Sequence, residues 1–480
     1  MTEHQTHYID GQWTPSKSGE TIDVVSPHTE QIVGKVPAGG GADIDAAVDA
    51  ARSAQNGEWA ATTVQDRATV IADLLAAFVP RAEEVAALQV TEMGCPVSQA
   101  RPVMVDPAIG ILDYYGGLAE NYTDSERRTG SHGLTSVVHR KPVGVVGAVI
   151  PWNAPTYLSM LKLGPALVTG CSIVLKSAPE APLSLRPLAE AAMAAGLPAG
   201  VLNIVSGGRD AGEHLVKHPG IDKVSFTGSV ATGRRIAELT GPRFLPTTLE
   251  LGGKSAAIVL PDADIESTVA GLGLNCFVNS GQVCGVDSRV LVHRSRAKEF
   301  TDAFAAMVGA LKTGDPADPA TNIGPLVTSK QRDRVESFIL GASAEGARLI
   351  TGGARPAGLT TGWYVEPTVF DSVTSDMTIA REEIFGPVVS ILAYDTDDEA
   401  VAIANSTDYG LAGSIWATDI DHALALSKRI TTGIVAINGF GCQFNTPFGG
   451  VKLSGLGREM GPESLSAYVE YQSVLLPLAT

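Results

Sequence analysis

Cys284 stands in Asn279-Ser-Gly-Gln-Val-Cys-Gly285, a small and mostly polar run that leaves a sulfur accessible. A thiol that is reached and deprotonated is a strong nucleophile, so the position suits covalent catalysis. A cysteine hydrolase would pair it with a histidine base, and none of the nine histidines points to it. Two acids sit among glycines. Glu250 lies in Leu249-Glu-Leu-Gly-Gly-Lys254, and Glu383 in Arg381-Glu-Glu-Ile-Phe-Gly-Pro387. Each reads as a candidate acid or base, or as a capped turn or surface carboxylate. Asn153, between the prolines of Pro151-Trp-Asn-Ala-Pro155, is a turn residue or an amide donor to an oxyanion. Cys95, Cys171, Cys276 and Cys442 read as small packing residues.

Phe226-Thr-Gly-Ser-Val-Ala-Thr-Gly233 follows a strand pattern and opens a helical one. Gly228 permits close backbone approach, Ser229 offers a hydroxyl, and a helix N-terminus offers unpaired N–H groups to a pyrophosphate. Gly228 and Gly233 serve equally well as turn and packing glycines. Lys176 ends a strand, where ligands of open α/β sheets collect, although a lysine there is also an ordinary solvated charge. Gly455-Leu-Gly-Arg-Glu-Met-Gly461 has no strand–helix context and reads as a turn. His214-Leu-Val-Lys-His218 lacks a third ligand, so no metal is expected.

The elements that must carry these residues alternate. Strand-like runs at 145–150, 172–175, 202–205, 223–226 and 247–251 are separated by helical ones at 158–169, 183–195, 211–216 and 229–239. A second alternation follows beyond 255, with strands at 256–260, 289–292, 388–392, 414–416 and 434–438. Two doubly wound α/β domains are expected. Length agrees, since 480 residues exceed the roughly 250–300 at which one core stops growing. Val137–Arg140 and Ala467–Leu476 belong to neither alternation and read as a β arm whose edges can pair with another chain. A net charge of −17 without a basic patch argues against nucleic acid and anionic membranes. No apolar run approaches the ~20 residues of a membrane span. Five cysteines and a polar N-terminus suggest a reducing, cytoplasmic setting.

Pro151-Trp-Asn, Lys176, Phe226-Thr-Gly-Ser, Glu250-Leu-Gly-Gly, Gly281-Gln-Val-Cys284, Glu383-Ile-Phe-Gly-Pro and Pro447-Phe-Gly-Gly, in that order, resemble the NAD(P)-dependent aldehyde dehydrogenase superfamily from about residue 8 to about residue 475. The resemblance implies a cofactor domain (1–120 and 143–251), a catalytic domain (252–462) and an oligomerisation arm (121–142 and 463–480) serving a homodimer or homotetramer. It implies that Cys284 attacks an aldehyde, Asn153 holds the oxyanion, Glu250 activates water, and Lys162 stands near the active site. Cofactor contacts would come from Trp152, Lys176, Gly228, Ser229, Gly233, Leu251, Gly252, Glu383 and Phe385. The substrate wall would comprise Ala154, Tyr157, Leu158, Leu161, Val283, Phe440 and Phe448.

Two departures shape the expectation. Pro179 stands where many NAD-using relatives carry a ribose-binding glutamate, and Glu180 comes one place late. NAD is still favoured over NADP, because no arginine stands beside Lys176 to accept a 2′-phosphate. The tunnel positions are apolar and lack a cation for a substrate carboxylate. A hydrophobic aldehyde (terpenoid, aromatic or medium-chain) is therefore expected. The alternatives are a CoA-acylating semialdehyde dehydrogenase, against which Glu250 counts, and a catalytically silent structural relative.

Overall fold

Alternation of buried β-branched runs with amphipathic segments builds two open sheets, each packed by helices on both faces. The computed structural model describes residues 2–130, 134–439 and 441–477. The first sheet has eight strands, in the order Gly455–Leu456, Thr247–Glu250, Lys223–Thr227, Val145–Val149, Ser172–Ser177, Leu202–Ser206, Thr6–Ile9 and Gln12–Pro15. Its five central strands run parallel, and antiparallel strands close both edges. The central strands are buried on both faces, which explains apolar runs such as Val145–Val149 and Ile173–Leu175.

The second sheet has seven strands, in the order Arg348–Thr351, Thr368–Asp371, Val388–Tyr394, Arg289–His293, Ala256–Val259, Gly413–Trp416 and Ala436–Ile437. All pairs are parallel except the first. Arg348–Thr351 and Thr368–Asp371 carry no strong strand pattern and were not expected. A third sheet pairs Val469–Leu475 with Thr135–Pro142 and that with Ser125–Thr129. Val469–Leu475 is exposed beyond its first residue, with Leu475 at 83 %.

Chain order in the first sheet reverses between Val145–Val149 and Lys223–Thr227. That switch point opens a crevice at the strands' carboxyl ends, where Asn153, Gly228 and Glu250 follow or end their strands. The amino ends of the second sheet face the same crevice. The Cys284 turn precedes Arg289–His293, and Glu383 precedes Val388–Tyr394. Among the described residues no helix is long and apolar enough to cross a membrane.

Candidate active site

The crevice deepens into a cavity of about 770 Å³ whose wall is mostly apolar. It brings together Asn153, Glu250, Cys284, Glu383, Trp152, Gly228, Ser229, Leu251, Gly252 and Phe385 from the sequence reading. Ala154, Tyr157, Leu158, Leu161, Val283 and Phe448 also line it, while Phe440 lies outside the described residues.

The turn before Cys284 is locally strained. Asn279 (φ 50°), Ser280 (φ 57°) and Gly281 (φ 74°) are three successive left-handed residues. Asparagine and glycine tolerate this conformation, whereas serine pays about 1–2 kcal/mol. Buried hydrogen bonds hold it. The Asn279 N–H donates to Gln99 Oε1 at 2.8 Å, Asn279 Nδ2 to the Asn153 carbonyl at 3.0 Å, and Ser280 Oγ to the Gly324 carbonyl at 2.9 Å. Asn153 Nδ2 donates to the Gln282 carbonyl at 3.0 Å, which fixes its amide beside the turn. The Cys284 thiol is pushed up to about 12 by burial first, then by Glu383 and Glu250, while its own N–H pulls it down. Its proton is thus held more firmly than that of a free thiol.

Glu250 ends its strand with 3 % exposure, and neither carboxyl oxygen has a hydrogen-bond partner among the described residues. Burial and the neighbouring Glu459 hold it well above the usual carboxylate range, opposed by Lys162 and Arg458. Its packing requires glycine at 449. With φ at 149°, a Cβ there would lie 2.6 Å from Glu250 Oε1.

Lys162 is fully buried on the Pro155–Thr169 helix. It donates to Thr227 Oγ1 and to Glu459 Oε1, both at 2.7 Å. Glu459 belongs to the segment 455–461 read as a turn. Gly455–Leu456 in fact pairs with the strand ending at Glu250 and carries Glu459 into the site. Only an acid inside a glycine-rich run signalled it. Glu459→Gln removes a like charge from Glu250. It is expected to move the acid limb of the kcat–pH profile to lower pH; an unmoved limb would show the two carboxyls to be uncoupled.

The other end of the cavity suits a dinucleotide. Ser229 caps the Val230–Thr240 helix, accepting from the Thr232 N–H at 3.3 Å, so its oxygen is partly committed to the helix. The next residues, Val230 and Ala231, open on the cavity with the first N–H groups of the helix. Glu383 Oε1 accepts from the Gly253 N–H at 3.0 Å, and a Cβ at Gly252 would strike the carboxylate at 2.3 Å. Burial raises Glu383 to about 7, against the Gly253 N–H and Arg334. The Phe385 ring stands edge-on to Trp152, with centroids 5.5 Å apart. Two positions sit differently. Gly233 packs on Leu251 away from the cavity lining. Lys176 is buried rather than solvated, lowered to about 8 by burial and opposed by Glu180.

Sequence reading missed part of the apolar wall. Pro102, Val103 and Met104 come from a π-helical turn at Ala100–Val105, with Pro107 beyond it. Phe444 and Cys442 also line the cavity, and Cys442 Sγ lies 3.6 Å from the Tyr157 hydroxyl. No periodicity announces a π turn, and Cys442 had read as packing.

The aldehyde dehydrogenase family model matches residues 13–474. The chain belongs to the aldehyde dehydrogenase family. It is 46% identical over 475 residues to geranial dehydrogenase of Castellaniella defragrans, covering 99% of each chain. Among solved structures, an aldehyde dehydrogenase of Mycobacterium tuberculosis complexed with NAD+ superposes with a TM-score of 0.98 at 45% identity, over 100% of this chain and 99% of that one. A variant of a Pseudomonas syringae aldehyde dehydrogenase complexed with NAD+ and octanal gives 0.95 at 40% identity, over 98% and 96%. The doubly wound architecture expected from the alternation is the aldehyde dehydrogenase fold.

Proposed function

We propose that the protein oxidises a hydrophobic aldehyde to its carboxylic acid with NAD. The observation that carries this is the meeting of Cys284, Asn153 and Glu250 in one mostly apolar cavity whose other end offers a helix N-terminus and Glu383. The Cys284 thiol, half-exposed on the open cavity, passes its proton to solvent as its sulfur bonds to the aldehyde carbon. The carbonyl oxygen becomes an oxyanion held by Asn153 Nδ2 and the Cys284 N–H, and one such donor contributes roughly 2.7–4 kcal/mol. What NAD supplies there is a hydride acceptor, and loss of hydride from the hemithioacetal carbon leaves a thioester on Cys284. Glu250 then takes a proton from water as its oxygen attacks the thioester. The C–S bond breaks, releasing the acid and restoring the thiol.

Several observations support the substrate class. The cavity wall is mostly apolar, and Arg334, the cation on its lining among the described residues, already donates to the Glu383 carbonyl. A relative named for geranial and a neighbour holding octanal agree with it. A panel of terpenoid, aromatic, medium-chain and semialdehyde substrates with both cofactors, read by NADH absorbance, tests the reading. Higher kcat/KM for succinate semialdehyde than for every hydrophobic aldehyde would overturn it.

NAD preference is proposed through Glu180. It is half-buried and lies close enough to Lys176 for each charge to shift the other. A carboxylate there repels a 2′-phosphate. Glu180→Gln is expected to lower the NAD-to-NADP ratio of kcat/KM by about tenfold, a change of 1.4 kcal/mol; an unchanged ratio would remove Glu180 from cofactor selection. The exposed three-stranded arm is proposed to mediate a homodimer or homotetramer, with 1–120 and 143–251 as the cofactor domain and 252–462 as the catalytic one.

A further inference from the structure

Asp287, three residues after Cys284, is a carboxylate with 2 % exposure that the reaction scheme above does not use. It lies on the cavity lining beside Gly285, Gly413 and Ser414. Its Oδ2 accepts from Ser414 Oγ at 2.7 Å and from Asn275 Nδ2 at 3.3 Å. Trp416 Nε1, which can only donate, gives its proton to Ser414 Oγ at 2.9 Å. The serine hydroxyl proton is therefore directed at Asp287. Asn275 Nδ2 also donates to the Gly439 carbonyl at 3.0 Å, itself on the cavity lining. The backbone adds two ties to the same helix end. The Asp287 N–H donates to the Asn275 carbonyl at 3.2 Å, and Cys276 Sγ donates to the Asp287 carbonyl at 3.0 Å.

We propose that Asp287 is a positioning residue for the nucleophile turn: its carboxylate ties the turn carrying Cys284 to the helix end at Asn275 and the strand at Ser414, and through Asn275 to the cavity wall at Gly439. The inference rests on the reading of Cys284 as nucleophile. A turn with successive left-handed residues on one side needs an anchor on the other, and Asp287 is that anchor. Burial raises its pKa to about 6, while Ser414, Asn275 and Arg289 pull it down. Its ionised form receives both side-chain donations as charge-assisted bonds. Oδ1 accepts from no donor among the described residues. An asparagine can therefore keep its oxygen toward Ser414 and Asn275 and turn its NH₂ toward the cavity.

The test compares full-length wild type, Asp287→Ala and Asp287→Asn with NAD and octanal. It measures kcat/KM, the Kd for NAD and the rate of Cys284 alkylation by iodoacetamide. Misplacing a reacting atom by about 1 Å can cost 10²-fold, so Asp287→Ala is expected to lose at least about tenfold in kcat/KM and in alkylation rate. Asp287→Asn is expected to stay within about threefold, with the Kd for NAD unchanged in both. Wild-type rates in Asp287→Ala, or equal losses in both variants, would overturn the proposal. Should Asp287→Ala not fold, Ser414→Ala decides. A fall in kcat/KM supports the anchor, and an unchanged value overturns it. Activity retained in Cys284→Ala would instead sink the nucleophile reading itself. An inactive Cys284→Ala beside a fully active Asp287→Ala would sink only the anchor.

Discussion

Cys284→Ala is expected to abolish aldehyde-dependent NADH formation, lowering kcat by at least about 10³-fold, while NAD binding measured by calorimetry stays within about twofold. The size follows from the chemistry. Without the sulfur there is no covalent adduct, and Asn153 has no oxyanion to hold. Binding survives because the helix N-terminus at Val230, the Glu383 carboxylate and the Trp152 ring are untouched. Residual activity above about a tenth of wild type would assign the chemistry to another group. The same measurement separates a working enzyme from a silent structural relative, which predicts no turnover in either protein.

Glu250→Gln should separate the two halves of the reaction. Hydride loss needs no water, so one equivalent of NADH per active site is expected in a rapid burst. Steady-state turnover should then fall by about 10²–10⁴-fold, the range of a lost general base. A uniform fall without a burst would instead make Glu250 the base that first deprotonates Cys284. The sign of the pH effect follows from the raised carboxyl. A base must be ionised to act. Glu250 holds its proton above the ordinary carboxylate range, so wild-type kcat should rise as pH climbs through its titration. The glutamine variant should lose that rise. Acyl-CoA formation on adding coenzyme A would favour the acylating alternative.

The chain announced its sheets because buried parallel strands such as Val145–Val149 and Ser172–Ser177 are apolar on both faces. Cys284, Glu250, Asn153 and Glu383 each carried a rival reading as a packing, turn or surface residue, and their order along the chain, as in the family resemblance, singled them out. Glu459 was not legible, since its partner Lys162 is 297 residues away and only folding joins them. Arg348–Thr351, half exposed at the sheet edge, carries too little apolar pattern to register. The wall at Pro102–Met104 depends on a π turn, a backbone choice with no periodicity of its own. The firm hold on the Cys284 proton was hidden for another reason. It depends first on burial and then on Glu383 and Glu250, which lie 99 and 34 residues away along the chain and meet the sulfur only in space.

The left-handed run Asn279–Ser280–Gly281 has a price in durability. Strain of this kind is free energy subtracted from the folded state, and it is concentrated at the turn that must stay rigid for turnover. The hydrogen bonds of Asn279 and Ser280 must hold that strain, so loosening one of them should cost activity before it costs the fold. Glycine at Ser280 would relieve part of the strain but delete the hydroxyl's bond to the Gly324 carbonyl, loosening the turn and widening the wander of the sulfur.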